Sequence, residues 1–563
     1  MITSKLKTLL SIFAMLLYCF TASAATTTFD DWTSTNTANG STSQKTYTFV
    51  TTAGEELWFS WSVSSEANFD KLIVTLDGTQ VLTKSGSESG NFTQALDAGS
   101  HTLVVKYTKD GSSSSGSDQA KVWNISIVAR QSTIDGITYS YTGNSASVMS
   151  ATNVSTVVIP DEVTIEGTTY IVTSIGGNAF EGCRSLTSIT IPENSQLMSI
   201  GRCAFSGCSS LTAITIPENV TSIGESVFSG CSSLTIINIP ERVTSIGGSA
   251  FEGCSRLTSI TIPENSQLTR IERYAFYGCS SLIDINIPEG VTSIGELAFS
   301  GCSSLEYVTL NCSNVSDWFS RNTAIKEVVL GDGVATVENK AFQGCSGLTS
   351  ITIGKNVTEI GELSPNSSCA VFDNCTSLKE VLFEDGSEAL AVGCNNYSAN
   401  VRPNSRGEGL FYDCPLEKVY LGRNLSYDTR HRQAGASPFY AKGTLTSLTI
   451  GSEVTEVGEN AFSDCGLDSI TCYAMVPPAC YASTFAGVDT SIPVYVPETS
   501  VADYQSAEVW KDFLGFVGVD TGITPSILNP QLSTIYDLHG RRITDTEGLK
   551  GIYIVNGKKT VIK

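Results

Sequence analysis

Histidine, the side chain best suited to general-base catalysis near neutral pH, is scarce in this chain. The 563 residues include only His101, His431 and His539. Sites that need two or more histidines, for metal binding or proton transfer, are therefore not expected. Carboxylates are abundant, with 56 Asp and Glu residues. A carbohydrate-active enzyme or accessory protein that uses one carboxyl group as acid and another as nucleophile thus remains an alternative.

Three aspartates in the first part of the chain have the chemistry of a calcium site. Asp110 and Asp118 flank a stretch rich in Ser and Gly, and Asp70 ends an earlier segment of turn-forming residues. Hard cations bind several oxygen ligands. A calcium site formed by Asp70, Asp110 and Asp118 is one hypothesis, and surface carboxylates without a metal are the other. No cofactor is expected.

Tryptophans in the same part of the chain can provide an aromatic platform for a glycan. Trp32 and Trp61 are the candidate contact residues. Trp58 is a third possibility, but side chains alternate along a strand, which directs Trp58 or Phe59 into a core. Core packing is therefore the alternative for all of these tryptophans.

Aromatic and basic residues concentrate later in the chain, mainly between residues 397 and 440. Aromatic and Arg side chains dominate the binding energy of many protein interfaces, so this region is the strongest candidate for protein contacts. Loops that merely vary in sequence, with Arg residues paired to acids, are the alternative. The candidate binding residues are Tyr307, Lys418, Tyr420, Arg423, Tyr427, Arg430 and Arg432.

The net charge restricts the class of partner. With 34 Lys and Arg against 56 Asp and Glu, the formal charge is −22. A surface this acidic repels phosphate backbones and anionic lipids. Nucleic acid is therefore not an expected partner, whereas a protein ligand or a glycan is.

Most of the candidate binding residues lie in a part of the chain with a repeated sequence motif. The motif Ala-Phe-x-Gly-Cys recurs with its Phe at 180, 205, 228, 251, 276 and 299, so the period is 23 residues with two-residue insertions. Weaker copies follow at Phe319, Phe342, Phe372, Phe411, Phe439, Phe462 and Phe485. A period in this range is typical of solenoids, in which each coil stacks on its neighbours.

Each repeat predicts a short strand followed by a turn. In the unit that begins at Leu211, Ile214 and Ile216 alternate and point inward, and Pro217 ends the strand because it cannot donate to a ladder. Phe228 then fills the wide end of the coil. The residues between the inward positions face outward on the predicted concave surface.

These units resemble the BspA-like, or treponemal-type, leucine-rich repeat. The similarity extends over about residues 173–490 and includes Ile223-Gly224, Phe228, Cys231 and Ile237-Asn238-Ile239-Pro240. It implies a curved, right-handed solenoid on a bacterial surface or secreted protein of adhesin-like type. Residues 131–172 read as a linker and the amino-terminal cap of the solenoid, which is needed because the first coil would otherwise expose an open edge.

Ten cysteines recur at one repeat position, from Cys183 to Cys465. Neighbouring side chains on parallel rungs point the same way, which is poor geometry for a disulfide. The repeat therefore predicts a ladder of free thiols. Cys472 and Cys480 lie off this ladder, and the sequence leaves open whether they pair.

The ends of the chain indicate export. Residues 1–24 have Lys5 and Lys7 before an apolar run and Ala22-Ser23-Ala24 after it, which is the pattern of a cleaved signal peptide. Residues 521–563 are similar to the carboxy-terminal sorting domain of the Por secretion system (T9SS), and a purely structural β-module is the alternative. No later apolar run reaches about 20 residues, so the mature chain is not expected to span a membrane.

Residues 25–130 contain alternating strands separated by turns such as Asp77-Gly78. They predict an antiparallel β-sandwich, and they resemble jelly-roll accessory domains of exported Bacteroidetes proteins. The whole chain is therefore expected to be mainly β: signal peptide, sandwich, cap, a leucine-rich-repeat solenoid over 173–520, and a small β C-terminal module. We expect a secreted or outer-surface, monomeric, non-enzymatic binding protein; a passive coat protein is a further alternative.

Overall fold

The computed structural model describes residues 27–35, 40–52, 55–65, 69–111, 118–151, 155–361, 370–393, 409–427, 437–520, 535–536, 542–543, 551–555 and 558–562. The predicted signal peptide lies outside these residues. The chain divides into two compact units, residues 1–206 and 207–563.

The first unit consists of short and long β-strands, which make a sandwich, a cap and the first repeats. Its strands are β1 (Thr27–Thr28), β2 (Trp32–Thr33), β3 (Thr42–Thr51), β4 (Glu55–Ser64), β5 (Lys71–Leu76), β6 (Thr79–Lys84), β7 (Ser87–Leu96), β8 (Gly99–Thr108), β9 (Gln119–Ile134), β10 (Ile137–Thr142), β11 (Ser145–Ala151), β12 (Thr156–Val158), β13 (Glu162–Ile165), β14 (Thr168–Ile175), β15 (Ser188–Thr190) and β16 (Ser199–Ile200).

Two antiparallel sheets form the sandwich. One has the order β3-β8-β5-β6, and the other places β4 between β7 and β9, with β1 and β2 also paired to β9. Alternate residues of these strands are buried between the sheets, including Leu57, Phe59, Leu72, Val74 and Leu103, each with no exposed surface. The period-2 pattern of the sequence therefore produces one apolar layer between two sheets.

Strand β9 belongs to both the sandwich and the cap. Its residues 119–129 pair with β4, and its residues 130–134 pair with β10. The sheet then continues through β11, β14 and β13, with β11 and β14 parallel. Residues 131–134 are thus part of a continuous strand.

The second unit contains the regular coils. Its strands are β17 (Ile236–Asn238), β18 (Ser245–Ile246), β19 (Ser259–Thr261), β20 (Arg270–Ile271), β21 (Asp284–Ile287), β22 (Ser293–Ile294), β23 (Tyr307–Leu310), β24 (Asn314–Val315), β25 (Glu327–Leu330), β26 (Thr336–Val337), β27 (Ser350–Ile353), β28 (Glu359–Ile360), β29 (Glu380–Phe383), β30 (Leu390–Val392), β31 (Lys418–Leu421), β32 (Leu425–Ser426), β33 (Ser447–Ile450), β34 (Glu456–Val457), β35 (Ser469–Cys472), β36 (Ala479–Cys480), β37 (Pro493–Pro497), β38 (Gly515–Val519), β39 (Ile535–Tyr536), β40 (Arg542–Ile543), β41 (Gly551–Val555) and β42 (Lys558–Ile562).

A long parallel sheet runs along this unit. Its ten strands follow the order β21-β23-β25-β27-β29-β31-β33-β35-β37-β38. A second sheet, β24-β26-β28-β30-β32, is formed by the short strands that follow the turns. The prediction of a mainly β chain with a leucine-rich-repeat solenoid is confirmed.

The recurring Phe residues form a stack through the coils. Phe228 and Phe251 have ring centroids 5.4 Å apart, and Phe251 and Phe276 have centroids 5.3 Å apart, with the rings nearly parallel. Stacking of this kind adds to the free energy of burial. The position two residues before each Phe has a positive φ in many coils, for example 57° at Tyr274 and 56° at Leu297.

None of the repeated cysteines in the described chain forms a disulfide, as parallel rungs predict. Instead, most of these thiols bond to a carbonyl oxygen of an earlier coil: the Sγ atoms of Cys254 and Cys279 donate to the carbonyl oxygens of Phe228 and Phe251 at 3.1 and 3.2 Å. Cys472 and Cys480 are also unpaired, and Cys472 Sγ accepts a hydrogen bond from the Tyr504 hydroxyl at 3.0 Å.

Helical segments close the last coil. The helix α1 (Val501–Ser506) and the 3-10 turns Glu498–Ser500 and Trp510–Asp512 lie between β37 and β38, and a further 3-10 turn is Asp317–Phe319. Trp510 is fully buried, and its Nε1 donates to the Pro478 carbonyl oxygen at 2.8 Å. No helix in the described residues is long and apolar enough to cross a membrane.

Candidate binding surface on the long parallel sheet

The long sheet presents rows of side chains in register. In each four-residue strand from β21 to β35, the second and fourth residues are buried and the first and third lie at the surface. Parallel pairing aligns the first residues in one row: Asp284, Tyr307, Glu327, Ser350, Glu380, Lys418, Ser447 and Ser469. We call these residues, together with the residue before each strand, the outward row.

Ion pairs join neighbouring strands along the outward row. Lys418 Nζ lies 2.7 Å from Glu380 Oε1, while the residues immediately before them pair with the signs reversed, Lys379 Nζ to Glu417 Oε1 at 2.8 Å. Hydrogen bonding to Glu380 raises the pKa of Lys418 above its usual value. Exposed pairs of this kind contribute little to stability, so their main effect is to fix a charge pattern on the surface.

A single ion pair of the same kind joins two earlier strands of the sheet. Lys326 Nζ lies 2.5 Å from Glu306 Oε1, and these residues precede β25 and β23. The sequence interpretation did not single out Glu306, Lys326, Lys379 or Glu417. A signal was available, because the regular repeats have a small polar residue such as Thr235 or Thr258 where these charges occur.

Tyr420 extends this surface toward the turn after β29. Its hydroxyl donates to Asp385 Oδ1 at 2.8 Å, and its ring is partly buried. Loss of hydration raises the pKa of the Asp385 carboxyl, and the hydrogen bond from Tyr420 opposes that rise. Desolvation together with the nearby Asp385 also raises the pKa of the Tyr420 hydroxyl. This predicted binding residue is therefore held in a fixed orientation.

Arg423 is not a surface residue, which corrects the expectation that it contacts a ligand. Its side chain is 1% exposed. Nη1 donates to the carbonyl oxygens of Lys355 and Val357 at 2.8 Å each, and Nη2 donates to that of Gly354 at 2.7 Å. The side chain passes Gly386, where an added Cβ would lie 3.5 Å from Arg423 Cδ. It thus joins the coil of β31 to that of β27 across the longer turn between them.

The other predicted residues of this region divide into three groups. Tyr427 is partly buried, and its hydroxyl donates to the Glu459 carbonyl oxygen at 2.9 Å, so it connects neighbouring coils. Lys418 is exposed and Tyr307 is partly exposed on the outward row. Arg430 and Arg432 lie outside the described residues.

The sandwich candidates are corrected as well. Trp32 and Trp61 are 6% and 5% exposed, and both belong to the apolar layer between the sheets. A glycan cannot stack on rings that are enclosed by the core. The structure therefore has the alternative arrangement, in which Trp32 and Trp61 pack in the core.

The three aspartates of the calcium hypothesis have other partners. Asp70 is 2% exposed, and its Oδ1 accepts the backbone N–H of Asp110 at 2.9 Å. Asp118 Oδ2 lies 3.1 Å from the ammonium of Lys109, which is itself buried. That ammonium supplies the positive charge that a cation would bring. Among the described residues, no group of three or more His, Cys, Asp or Glu can hold a metal ion.

A close carboxyl pair bears on the enzyme alternative. Desolvation, followed by the effect of the neighbouring Asp373 carboxyl, raises the pKa of Asp413. Glycosidases separate their two carboxyl groups by about 5 Å or more, because the sugar or a water must lie between them. Asp373 and Asp413 influence each other as direct neighbours, which is closer than this spacing requires.

One protein family and several solved structures are similar to this chain. The sequence profile of a family described as "BspA type Leucine rich repeat region" matches residues 149–268, 257–379, 315–427, 368–477 and 432–489. No curated protein matches the chain. Similar solved structures include a leucine-rich cell surface protein from Faecalibacterium prausnitzii (23% identity, 69% of this chain and 95% of that one, TM-score 0.32) and a leucine-rich repeat protein from Bacteroides ovatus (26%, 69% and 100%, TM-score 0.34).

Proposed function

Because the chain belongs to the family of BspA-type leucine-rich repeat proteins, we propose that it is an exported, surface-exposed, adhesin-like protein. In this proposal it binds a protein ligand through the outward row of its long sheet, and its sandwich contributes glycan binding. It works without a cofactor and without catalysis.

The observation that carries the protein-binding proposal is the reciprocal charge pattern of β29 and β31. Lys379 with Glu417 and Glu380 with Lys418 place both signs side by side on a flat, hydrogen-bonded support. Charges arranged in this way favour one partner and one register, since like charges opposite each other are costly. Tyr307 adds aromatic surface on the outward row, and Tyr420 adds it on the neighbouring row formed by the third residue of each strand.

Export is supported by the sequence at both ends. The basic, apolar and small-residue segments of residues 1–24 are typical of a signal peptide. The strands β39 to β42 form a small antiparallel sheet with the order β40-β39-β41-β42, and the sequence of this module resembles a Por-type sorting domain. We propose that it directs the chain to the outer surface.

The test exchanges the charges without removing the pair. In the variant that combines Glu380→Lys with Lys418→Glu, the ion pair can reform and stability should hold, but the pattern offered to a ligand is inverted. A protein ligand identified by screening the exported chain against extracellular and bacterial surface proteins should bind this variant at least about tenfold more weakly in surface plasmon resonance.

The matched control is Ser469→Ala, which changes a small side chain of the same row without altering charge. It should leave the dissociation constant unchanged. Equal binding by the wild type and the charge-exchanged variant would contradict the proposed surface, and so would a screen in which no protein binds the chain.

A further inference from the structure

The outer face of the sandwich carries two tryptophans on neighbouring strands. In β4, Trp58 and Ser60 face away from the apolar layer, and in β9 their partners in register are Ser126 and Trp123. A register shift between Trp58 and Ser60 keeps both pairs on the same face. The two indoles are therefore diagonal neighbours, with backbone positions about 7–8 Å apart.

Neither indole is part of the core. The apolar layer of the sandwich includes Trp32 and Trp61 but neither Trp58 nor Trp123, and both of the latter are partly exposed. Ser60 and Ser126, by contrast, are only 5% and 8% exposed although they face outward. The large side chains beside these serines on this face are the two indoles. We infer that the indoles lie across the sheet and cover the serines.

Polar groups suited to hydroxyls border the indoles. On β7, Thr93 is opposite Trp58 and Asn91 is opposite Ser60, and both are exposed. The Ser60 hydroxyl donates to Asn91 Oδ1 at 3.0 Å, which leaves the amide nitrogen of Asn91 as a donor toward solvent. We call Trp58, Trp123, Ser60, Asn91 and Thr93 the tryptophan face.

The charge of this face differs from that of the chain as a whole. The chain has a formal charge of −22. The charged side chains around the tryptophan face are Glu56, Lys121, Arg130 and Asp31, two of each sign. The Lys121 ammonium lies 5.7 Å from the Trp123 ring centroid. A ligand that docks here therefore meets no net charge, which suits a neutral molecule.

We propose that the tryptophan face binds a neutral glucan chain of β-linked pyranose units. The equatorial substituents of such a sugar leave flat C–H faces that stack on indoles, while its hydroxyls reach the hydroxyl and amide groups of Thr93 and Asn91. A flat platform of two rings fits an extended ribbon of sugars better than a single sugar. This inference rests on the proposed function, which assigns glycan binding to the sandwich. It adds the class of glycan and the residues that bind it.

The test is affinity electrophoresis of the full chain in native gels that contain hydroxyethyl cellulose. The polysaccharide should retard the wild-type protein. Trp58→Ala and Trp123→Ala should each weaken the interaction at least about tenfold, as expected for loss of an aromatic anchor. Trp58→Phe, which keeps a stacking ring, should retain most of it and shows whether the alanine variant fails merely because it does not fold.

The matched control is Trp318→Ala, which removes a partly exposed tryptophan from the solenoid and should not change retardation. The charge-exchanged variant of Glu380 and Lys418 should also be retarded normally, so that loss of protein binding and loss of glucan binding are separate outcomes. Absence of retardation in the wild type would overturn the inference. Unchanged retardation in both Trp58→Ala and Trp123→Ala would do so too, as would stronger retardation by anionic carboxymethyl cellulose.

Discussion

Single polar side chains inside the solenoid connect one coil to the next. The Cys302 thiol donates to the Phe276 carbonyl oxygen at 3.2 Å, and the Cys345 thiol does the same with Phe319. Burial raises the pKa of each of these two thiols to about 12. They remain protonated at physiological pH, so they act as hydrogen-bond donors and not as nucleophiles or metal ligands.

The stabilising effect of such a thiol should disappear at high pH. In the unfolded chain the thiol ionises near pH 8.5, whereas Cys302 in the fold does so near 12. Between these values the unfolded state binds fewer protons, so the free energy of unfolding falls as pH rises. The destabilisation caused by Cys302→Ala should therefore shrink between pH 8.5 and 12, by at most about 1.4 kcal/mol per pH unit.

Urea unfolding at several pH values checks this, with Ser303→Ala as the control. Ser303 also bonds to the preceding coil, donating to the Ser280 carbonyl oxygen at 3.4 Å, but it does not titrate in this range. Its effect on stability should not depend on pH. A constant difference between wild type and Cys302→Ala up to pH 11 would be inconsistent with a buried, protonated thiol.

Arg423 should be essential to stability instead of to binding. Arg423→Ala removes the donors to three carbonyl oxygens, and each buried acceptor left without a partner costs about 1–3 kcal/mol. We expect a loss of at least about 3 kcal/mol in urea unfolding of the second unit. Arg256→Ala, which removes an exposed Arg of the same unit, should change stability by less than about 0.5 kcal/mol. A stable Arg423→Ala protein would contradict the role inferred from its hydrogen bonds.

At the scale of elements, the turns before the stacked Phe residues hold side chains in an unfavourable backbone conformation. Leu297 has φ of 56° and is 45% exposed, so it has both a left-handed backbone and an apolar side chain in water. Left-handed conformations cost L-residues about 1–2 kcal/mol, and Asn tolerates them best after Gly. The equivalent position is Asn178 in an earlier turn and Asn460 in a later one.

Leu297→Asn should therefore stabilise the protein by about 1 kcal/mol. Differential scanning calorimetry measures the change as a rise in Tm. Leu297→Ala shortens the side chain but keeps the left-handed penalty, so it should give no comparable gain. Equal effects of Asn and Ala would show that the apolar side chain, and not the backbone, determines the result.

The sequence is informative about elements wherever the repeat is regular. The buried Ile214 and Ile216 and the stacked Phe228 follow from alternation and period. The strand predicted to end at Pro217 does not form in the structure, where the described strands resume only at β17. Arg423 could not be predicted in the same way. Its buried path depends on the longer turn of the coil of β29, where residues 384–389 separate that coil's Phe383 from Leu390. The residues next to Arg423 in the sequence do not indicate that another coil leaves space for its side chain.

The sandwich shows the same limit. Alternation along β4 places Trp58 and Trp61 on opposite faces of the strand, but it does not show which face is buried. A register shift next to Asn124, which has φ of 53°, sets the face of Trp123. Such a bulge is decided by pairing with a distant strand, so the sequence left the outward tryptophans unassigned.

At the scale of the whole molecule, the coils of the second unit form a nearly one-dimensional array. The thiol bonds, the Phe stacks and the sheet ladders connect each coil mainly to its neighbours. Arg423 is an exception, because it spans two coils. Stability in such arrays is approximately the sum of coil and interface contributions.

Damage to one coil should therefore remain local. Phe228→Ala removes a fully buried ring and should cost about 3–5 kcal/mol. Hydrogen exchange followed by mass spectrometry should show lost protection around residues 207–260, with protection at β33 and β35 unchanged. Loss of protection across the whole second unit would contradict the one-dimensional description.

Strand β9 has a consequence for how the first unit carries mechanical load. Adjacent folded parts of a chain are commonly joined by an extensible linker, but here one strand of 16 residues enters both the sandwich and the cap. Tension applied at one end of β9 passes along its covalent backbone and is shared at once by the ladders to β4 and β10. Residue 130 lies within the strand, so no flexible linker there can extend before the strand pairs separate. Under the proposed surface function, a pull by the ligand passes stiffly through this junction, and the sandwich and the cap yield together.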